Sequence, residues 1–264
     1  MSDSLSERRA ASFSHVADEY ARWRPGYPDR AVGWLVPGSN AHVLELGCGT
    51  GKLTASLIRQ GHRIVATDPS RPMLDQVVGE LPVPAVEARA ERLPFRSATF
   101  DVAVAGQAYH WFHAPEALPE IARVLRDGGE FALVWNLRDE NVPWVRELAD
   151  LIGSEGSPAA LLNEGPLRSS PLFGPIRSEE FGHWRVLDRD ALVGLVSSHS
   201  YVATMSPEDR ASVLDQVREL YARHARGSER LRMRYTTVCF RTRVDRATLP
   251  PDSPDEGDVI LRFR

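Results

Sequence analysis

The chain has 264 residues, 42% of them hydrophobic, and a formal net charge of -4: enough apolar content for a buried core, and no general field for polyanions. No run of about 18 uncharged apolar residues occurs, and the opening MSDSLSERRAAS lacks an apolar signal core, so a cytoplasmic protein with neither membrane span nor secretory leader is expected. Cys48 and Cys239 lie far apart with no CxxC or Cys/His spacing, which speaks against a disulfide framework and against any metal site. Arginines crowd the stretch from Arg218 to Arg246, while Lys52 is the single lysine; they read as solvated faces, and no nucleic-acid partner is inferred from them.

In chain order, YARWRPGYP (20–28) reads as a polar helix ending at Pro25, ahead of the first strand. Short apolar runs follow at HVLEL (42–46), RIVAT (63–67), VPAVEA (83–88), FDVAVA (100–105) and EFALVW (130–135), the pattern of parallel strands buried on both faces. Helical candidates alternate with them. GKLTASLIRQG closes on Gly61, and PEALPEIARVLRDGG runs from Pro115 to a glycine pair. Strand and helix in alternation predict a doubly wound α/β sheet. Beyond residue 138 the rhythm changes: a long Gly/Pro/Ser-rich loop (153–175) precedes the alternating RSEEFGHWRVL, and RYTTVCFRTRV (234–244) is a last strand candidate. The expected division is lid helices over 1–40, a ligand-binding core over 41–138, an acceptor-side insertion over 139–228, a closing strand over 229–248 and a mobile tail over 249–264.

GCGTG, residues 47–51, turns the first strand into a helix, where open α/β sheets place backbone N–H groups beside ligands. Gly47, Gly49 and Gly51 are spaced GxGxG, so the dinucleotide pattern GxGxxG fails. The P-loop pattern fails as well, because Lys52 is followed by Leu53 and the leading glycine position holds Leu46. Glu45 precedes the glycines; its charge would repel a pyrophosphate and favour a cationic or zwitterionic ligand. Asp68 ends the second strand, where a carboxylate can accept both hydroxyls of a ribose. These residues describe a nucleoside ligand without phosphate, positively charged near the loop.

VLELGCGTGKLT, VATDPSRPML, AERLPFRSATFDVAVAGQAYHWF and ARVLRDGGEFALVWN, in that order over about 43–136, resemble the class I S-adenosylmethionine-dependent methyltransferases, in the type 11 branch with the trans-aconitate and ubiquinone-type enzymes. The flanks YARWRPGYP and SSHSYVATM are similar to a narrower group of small bacterial methyltransferases. The resemblance implies a Rossmann-like seven-stranded sheet with helices on both faces, its last strand antiparallel, and a small helical lid. It implies S-adenosyl-L-methionine as cofactor: Glu45, Gly47, Cys48, Gly49 and Gly51 around its methionine part, Asp68 on the ribose, Pro69 and Met73 flanking the adenine, Gln107 under the methyl group, and Tyr20 or Arg24 near its carboxylate. Relatives read GDAE where this chain reads ARAE, so Arg89 stands in place of an acid and cannot accept the adenine amino bond. Ala90 or Glu91 is then expected to take over.

QAYHWFH (107–113) follows the fourth strand at its carboxyl edge. Tyr109 and His110 are the candidates for catalytic or lining roles, with His110 in the ordinary range for a general base if the acceptor has a proton to lose. Tyr27, Trp111, Trp135, Asn136, His199 and Tyr201 are the candidates for binding a small-molecule acceptor, either a carboxylate, a hydroxyl or a ring nitrogen, in a monomer or homodimer. The other readings are a donor-binding sensor or partner subunit without turnover and, against the spacing of the glycines, a nicotinamide-dependent oxidoreductase.

Overall fold

The computed structural model describes residues 23–153, 165–225 and 230–249. Tyr20 and the tail beyond 249 lie outside them. Seven strands form one mixed sheet: β1 (His42–Leu46), β2 (Arg63–Asp68), β3 (Ala85–Glu87), β4 (Phe100–Gly106), β5 (Leu125–Arg138), β6 (Arg177–Leu187) and β7 (Leu231–Arg243). Their order is β3-β2-β1-β4-β5-β7-β6, with the last strands antiparallel and helices around the sheet. The α/β sheet expected from the alternating pattern is therefore present, with the Rossmann-like seven strands that the resemblance implies.

Why the first strands are parallel follows from their burial. β1 and β2 are buried along nearly their whole length, so neither face is left for solvent, and each must be covered by helices that a parallel crossover supplies. Val43 and Leu44 pair with Ile64 and Val65 on one side and with Val102 and Ala103 on the other, which aligns the carboxyl ends of β1, β2 and β4 at one edge. α1 (Asp29–Leu35) precedes β1, α2 (Lys52–Arg59) joins β1 to β2, and α3 (Arg71–Glu80) joins β2 to β3. α4 (Ala114–Val124) buries Ala114, Ala117, Leu118, Ile121 and Ala122, the spacing of one helix face.

One boundary differs from the pattern in the sequence. The glycine pair that looked like the stop of α4 lies inside β5, because Leu125 already pairs with Phe100 and the register then shifts to Val102 against Glu130. At Gly129 a Cβ would lie 2.9 Å from the carbonyl oxygen of Arg126 and 3.1 Å from that of Asp101. Those glycines therefore admit a strand irregularity, and the helix ends at Val124 without them.

Two compact units share the chain, one of Met1–Gly26, Asn136–Gly156 and Phe181–Thr237, the other of Tyr27–Trp135, Ser157–Glu180 and Val238–Arg264. The first is built from α5 (Pro143–Ile152), α6 being the short Pro166–Ser169 turn of the other unit, α7 (Arg189–Ser197), α8 (Ser200–Ala203) and α9 (Pro207–His224). Its core joins Val145, Leu148, Leu192, Val196, Val217, Leu220 and Met233. Asp188 caps α7 by accepting from the Ala191 N–H at 2.9 Å, and Ser206 caps α9 through the Asp209 N–H at 3.1 Å. No described helix is long and apolar enough to cross a membrane.

Candidate active site

The turn after β1 is set by two contacts that a side chain would destroy. Gly47 has φ +65°, and a Cβ there would stand 2.7 Å from the Ala108 Cβ; Gly51 has φ +78°, with a Cβ 2.9 Å from Leu81. Only glycine takes up this backbone and this closeness together. The turn is closed by the Gly51 N–H donating to the Cys48 carbonyl at 3.0 Å, and it is tied to β2 by the Cys48 N–H donating to the Thr67 carbonyl at 2.9 Å. Gly51 then serves as N-cap of α2, whose N-terminus opens toward the same edge.

Asp68 fixes the other side. Its Oδ2 accepts from the Gly49 N–H at 2.9 Å and its Oδ1 from the Ser70 N–H at 2.8 Å. Burial raises its pKa, and these two bonds pull it back down. Each oxygen retains a lone pair, so the carboxylate can hold the turn and still accept from a ligand hydroxyl. Glu45, 1% exposed, is set more deeply. Its Oε2 accepts from the Thr54 hydroxyl of α2 at 2.6 Å. Burial pushes its pKa up to about 8; the Thr54 bond lowers it and the charge of Asp68 raises it. At neutral pH, Asp68 has two backbone donors for its charge and Glu45 has one hydroxyl. Burial raises both carboxyls, and more hydrogen-bond donors oppose it at Asp68 than at Glu45. Burial and the two acids also hold the Cys48 thiol well above its ordinary pKa, so it is no nucleophile.

The segment after β4 closes onto this turn. Gln107 has φ +57°, unusual for a residue with a side chain, and its N–H donates to the Val134 carbonyl at 2.9 Å. Ala108 packs on Gly47, and Phe112 comes within 3.9 Å of the position a Gly47 Cβ would take. Tyr27 reaches the same edge: a Cβ on Gly106 would lie 2.8 Å from its hydroxyl. His110 is exposed, and its ring lies 4.8 Å from that of Trp111. Enough protein nevertheless surrounds it that desolvation lowers its pKa to about 4. The buried Thr50 hydroxyl finds no hydrogen-bond partner among the described residues. Bare backbone, two carboxyls and this orphaned hydroxyl fit a cationic nucleoside with a free ribose.

The comparisons agree with that geometry. Residues 44–133 match the family described as Methyltransferase domain. An uncharacterized methyltransferase of Mycobacterium tuberculosis is 40% identical over 233 residues, covering 87% of this chain and 94% of its own. An uncharacterized methyltransferase-like protein of Schizosaccharomyces pombe is 30% identical over 85% of this chain and 92% of its own. A solved structure from Anaeromyxobacter dehalogenans, assigned as a type II methyltransferase, superposes with a TM-score of 0.61 at 26% identity, covering 83% of this chain and 97% of that one. This chain belongs to the class I S-adenosylmethionine-dependent methyltransferases.

In this methyltransferase Glu45, Gly47, Cys48, Gly49, Gly51, Asp68 and Gln107 converge at one sheet edge, and Tyr27 joins them. Pro69 is exposed next to Asp68. Other expected residues are turned elsewhere. Met73 is buried in α3 and presents no open face for an adenine. Glu91 is committed to the His113 N–H at 2.7 Å and lies 3.6 Å from Arg89, while Ala90 is buried beside it.

Tyr109, 5% exposed, packs edge-on against Phe112 and Phe131. Its hydroxyl has no well-formed hydrogen bond; burial raises its pKa to about 12, offset only in part by the Leu167 backbone. A group so placed neither lines a pocket nor exchanges protons, so Tyr109 is a core residue and not a catalytic one. Trp135 is likewise buried, edge-on to Phe240. Asn136, 1% exposed, spends its amide inside its own unit, donating to the Gly26 carbonyl at 3.1 Å and accepting from the Thr237 hydroxyl at 2.6 Å. Neither residue offers a surface to an acceptor.

Arg24 donates to the Ser198 carbonyl at 3.3 Å, next to His199. Desolvation, then the charges of Arg24 and Arg138, lower the His199 pKa to about 3. Tyr201 is 55% exposed. Sequence reasoning missed Thr54, Phe112 and Thr50. The first stands nine residues after Glu45 on the next helix, a spacing that carries no meaning until strand and helix are packed together.

Proposed function

We propose that this methyltransferase moves the methyl group of S-adenosylmethionine to a small-molecule acceptor by in-line displacement at the carboxyl edge of β1, β2 and β4. The observation that supports this most is the Asp68 carboxylate, tied to the Gly49 N–H at 2.9 Å beside a turn with no room for side chains. Asp68 would hold the ribose hydroxyls, and the turn from Gly47 to Gly51 would carry the methionine part. Bound there, the sulfonium supplies an already activated methyl group. The protein is then left with positioning and water exclusion, worth about 7–11 kcal/mol when geometry is ideal.

His110 favours one kind of acceptor. With a pKa near 4 it is neutral at pH 7 and a weak base. Of the carboxylates, hydroxyls and ring nitrogens open to such an enzyme, those that arrive without a proton to lose suit it best, a carboxylate foremost.

Calorimetry with S-adenosylmethionine tests the donor half. Wild type is expected to bind with a Kd on the order of micromolar, and Asp68→Ala to bind at least about tenfold more weakly. Wild-type protein that binds neither the donor nor its homocysteine product refutes the reading. A panel of carboxylic acids, phenols and heteroaromatic amines, scored by S-adenosylhomocysteine release, tests the acceptor half.

A further inference from the structure

Two acids stand at the donor edge, and only one of them is solvated by the protein. Asp68 has two backbone N–H donors. Glu45 lies at the end of β1, directly before the turn, with a single hydroxyl from Thr54 and 1% of its surface exposed. Among the described residues the groups that face it are Thr54 from α2, Asp68 from the end of β2 and the Cys48 thiol from the turn, and the charge that acts on it is that of Asp68, which is of its own sign. A carboxylate in that position is desolvated and repelled, so it keeps its proton until a positive charge arrives.

We propose that Glu45 is the residue by which this enzyme prefers its cationic donor to the uncharged thioether product, exchanging a proton with solvent as the positive charge comes and goes. The inference rests on the donor reading above. As the sulfonium reaches the turn, Glu45 ionises and its proton leaves to bulk water. Methyl transfer breaks the S–CH3 bond, the electron pair stays on sulfur, the new bond forms to the acceptor, and the positive charge beside Glu45 is gone. Glu45 then takes a proton from solvent and its attraction for the ligand disappears. An opposite charge within about 4–6 Å of a buried carboxyl shifts its pKa by roughly 1–3 units, enough to link affinity to pH. The carboxylate of the amino-acid moiety is common to donor and product and cancels in the ratio of the two affinities; the donor's ammonium, more acidic beside the sulfonium, loses its proton first as pH rises, which lowers the donor's relative affinity and so opposes the effect of Glu45.

The experiment is isothermal titration calorimetry of the full chain with S-adenosylmethionine and with S-adenosylhomocysteine, from about pH 6 to about pH 9, in buffers of different ionisation enthalpy. The wild-type preference for donor over product is expected to grow roughly tenfold or more across that range, with proton release on binding the donor and none on binding the product. Glu45→Gln, which keeps an oxygen for Thr54, is expected to show no growth of the ratio with pH. The wild-type ratio needs no variant and decides the matter alone. Parallel pH profiles for the two ligands overturn this role of Glu45 and leave the donor reading standing; binding of neither overturns both.

Discussion

The turn around Gly47 and the region around Asn136 are both polar, both buried and both at strand ends, yet they use their polar atoms in opposite ways. Around Gly47 the hydrogen bonds are incomplete: among the described residues Thr50 has no partner, Asp68 retains lone pairs, and Glu45 has one donor for two oxygens. Around Asn136 the two side-chain bonds both run to protein groups of its own unit, one amide N–H donating to the Gly26 carbonyl and the amide oxygen accepting from the Thr237 hydroxyl. A buried polar group left short of partners costs stability, and persists where a ligand completes it. The contrast separates a binding site from a fastening, which residue type alone does not do.

The comparison breaks most severely at Gly47. Gly47→Val meets Ala108 and an unfavourable φ at once, so donor affinity measured by calorimetry is expected to fall by more than about 100-fold. Next in size is Asn136→Ala, which removes a donor from the Gly26 carbonyl and leaves the Thr237 hydroxyl with His183 Nδ1 at 3.3 Å. It is expected to lower the unfolding free energy from urea titration by about 1–3 kcal/mol, while donor affinity stays within about twofold. A loss of affinity without a loss of stability would reverse the assignment of the two regions.

Acidification sharpens the contrast further. His62, His110 and His199 all have pKa values pushed below the ordinary histidine value, to about 4 for His110 and about 3 for His199. Desolvation is the first cause in each. The unfolded chain therefore binds these protons at about pH 6.5 and the folded chain only below that. Between those values the unfolded state holds more protons, so stability falls as pH falls through about 6.5 toward 4. Urea midpoints across that window measure it, and His199→Asn is expected to flatten the slope. Turnover should show no histidine inflection near pH 6.5; an inflection there that persists in Glu45→Gln would restore His110 as a general base. The smallest effect is that of Tyr109→Phe. Removing a hydroxyl with no well-formed bond is expected to change stability by less than about 1 kcal/mol, in either direction, and turnover not at all.

That the glycine turn and Asp68 come together was legible because both are set by the backbone at neighbouring strand ends. Glycine spacing forces a turn of one kind, and a carboxylate at the next strand end lies beside it in any parallel sheet of this order. The acceptor side was not legible. Tyr109, Trp135 and Asn136 follow strands at the ligand edge, where polar and aromatic residues suggest a lining, but which way a side chain points depends on what packs beneath it. Phe131 and Phe240 draw two of them inward, and Thr237, a hundred residues away in the chain, binds the third.

By itself the sequence determined the alternating α/β order, the GxGxG turn with φ above zero, and the acid that serves it, because local sterics and the period of apolar residues depend on near neighbours only. Tertiary structure decided how deeply each carboxyl is buried, which aromatic rings are core, and that the glycine pair at 128–129 belongs to a strand. Those are consequences of burial and of distant partners, and dielectric and packing exist only once the chain has closed on itself.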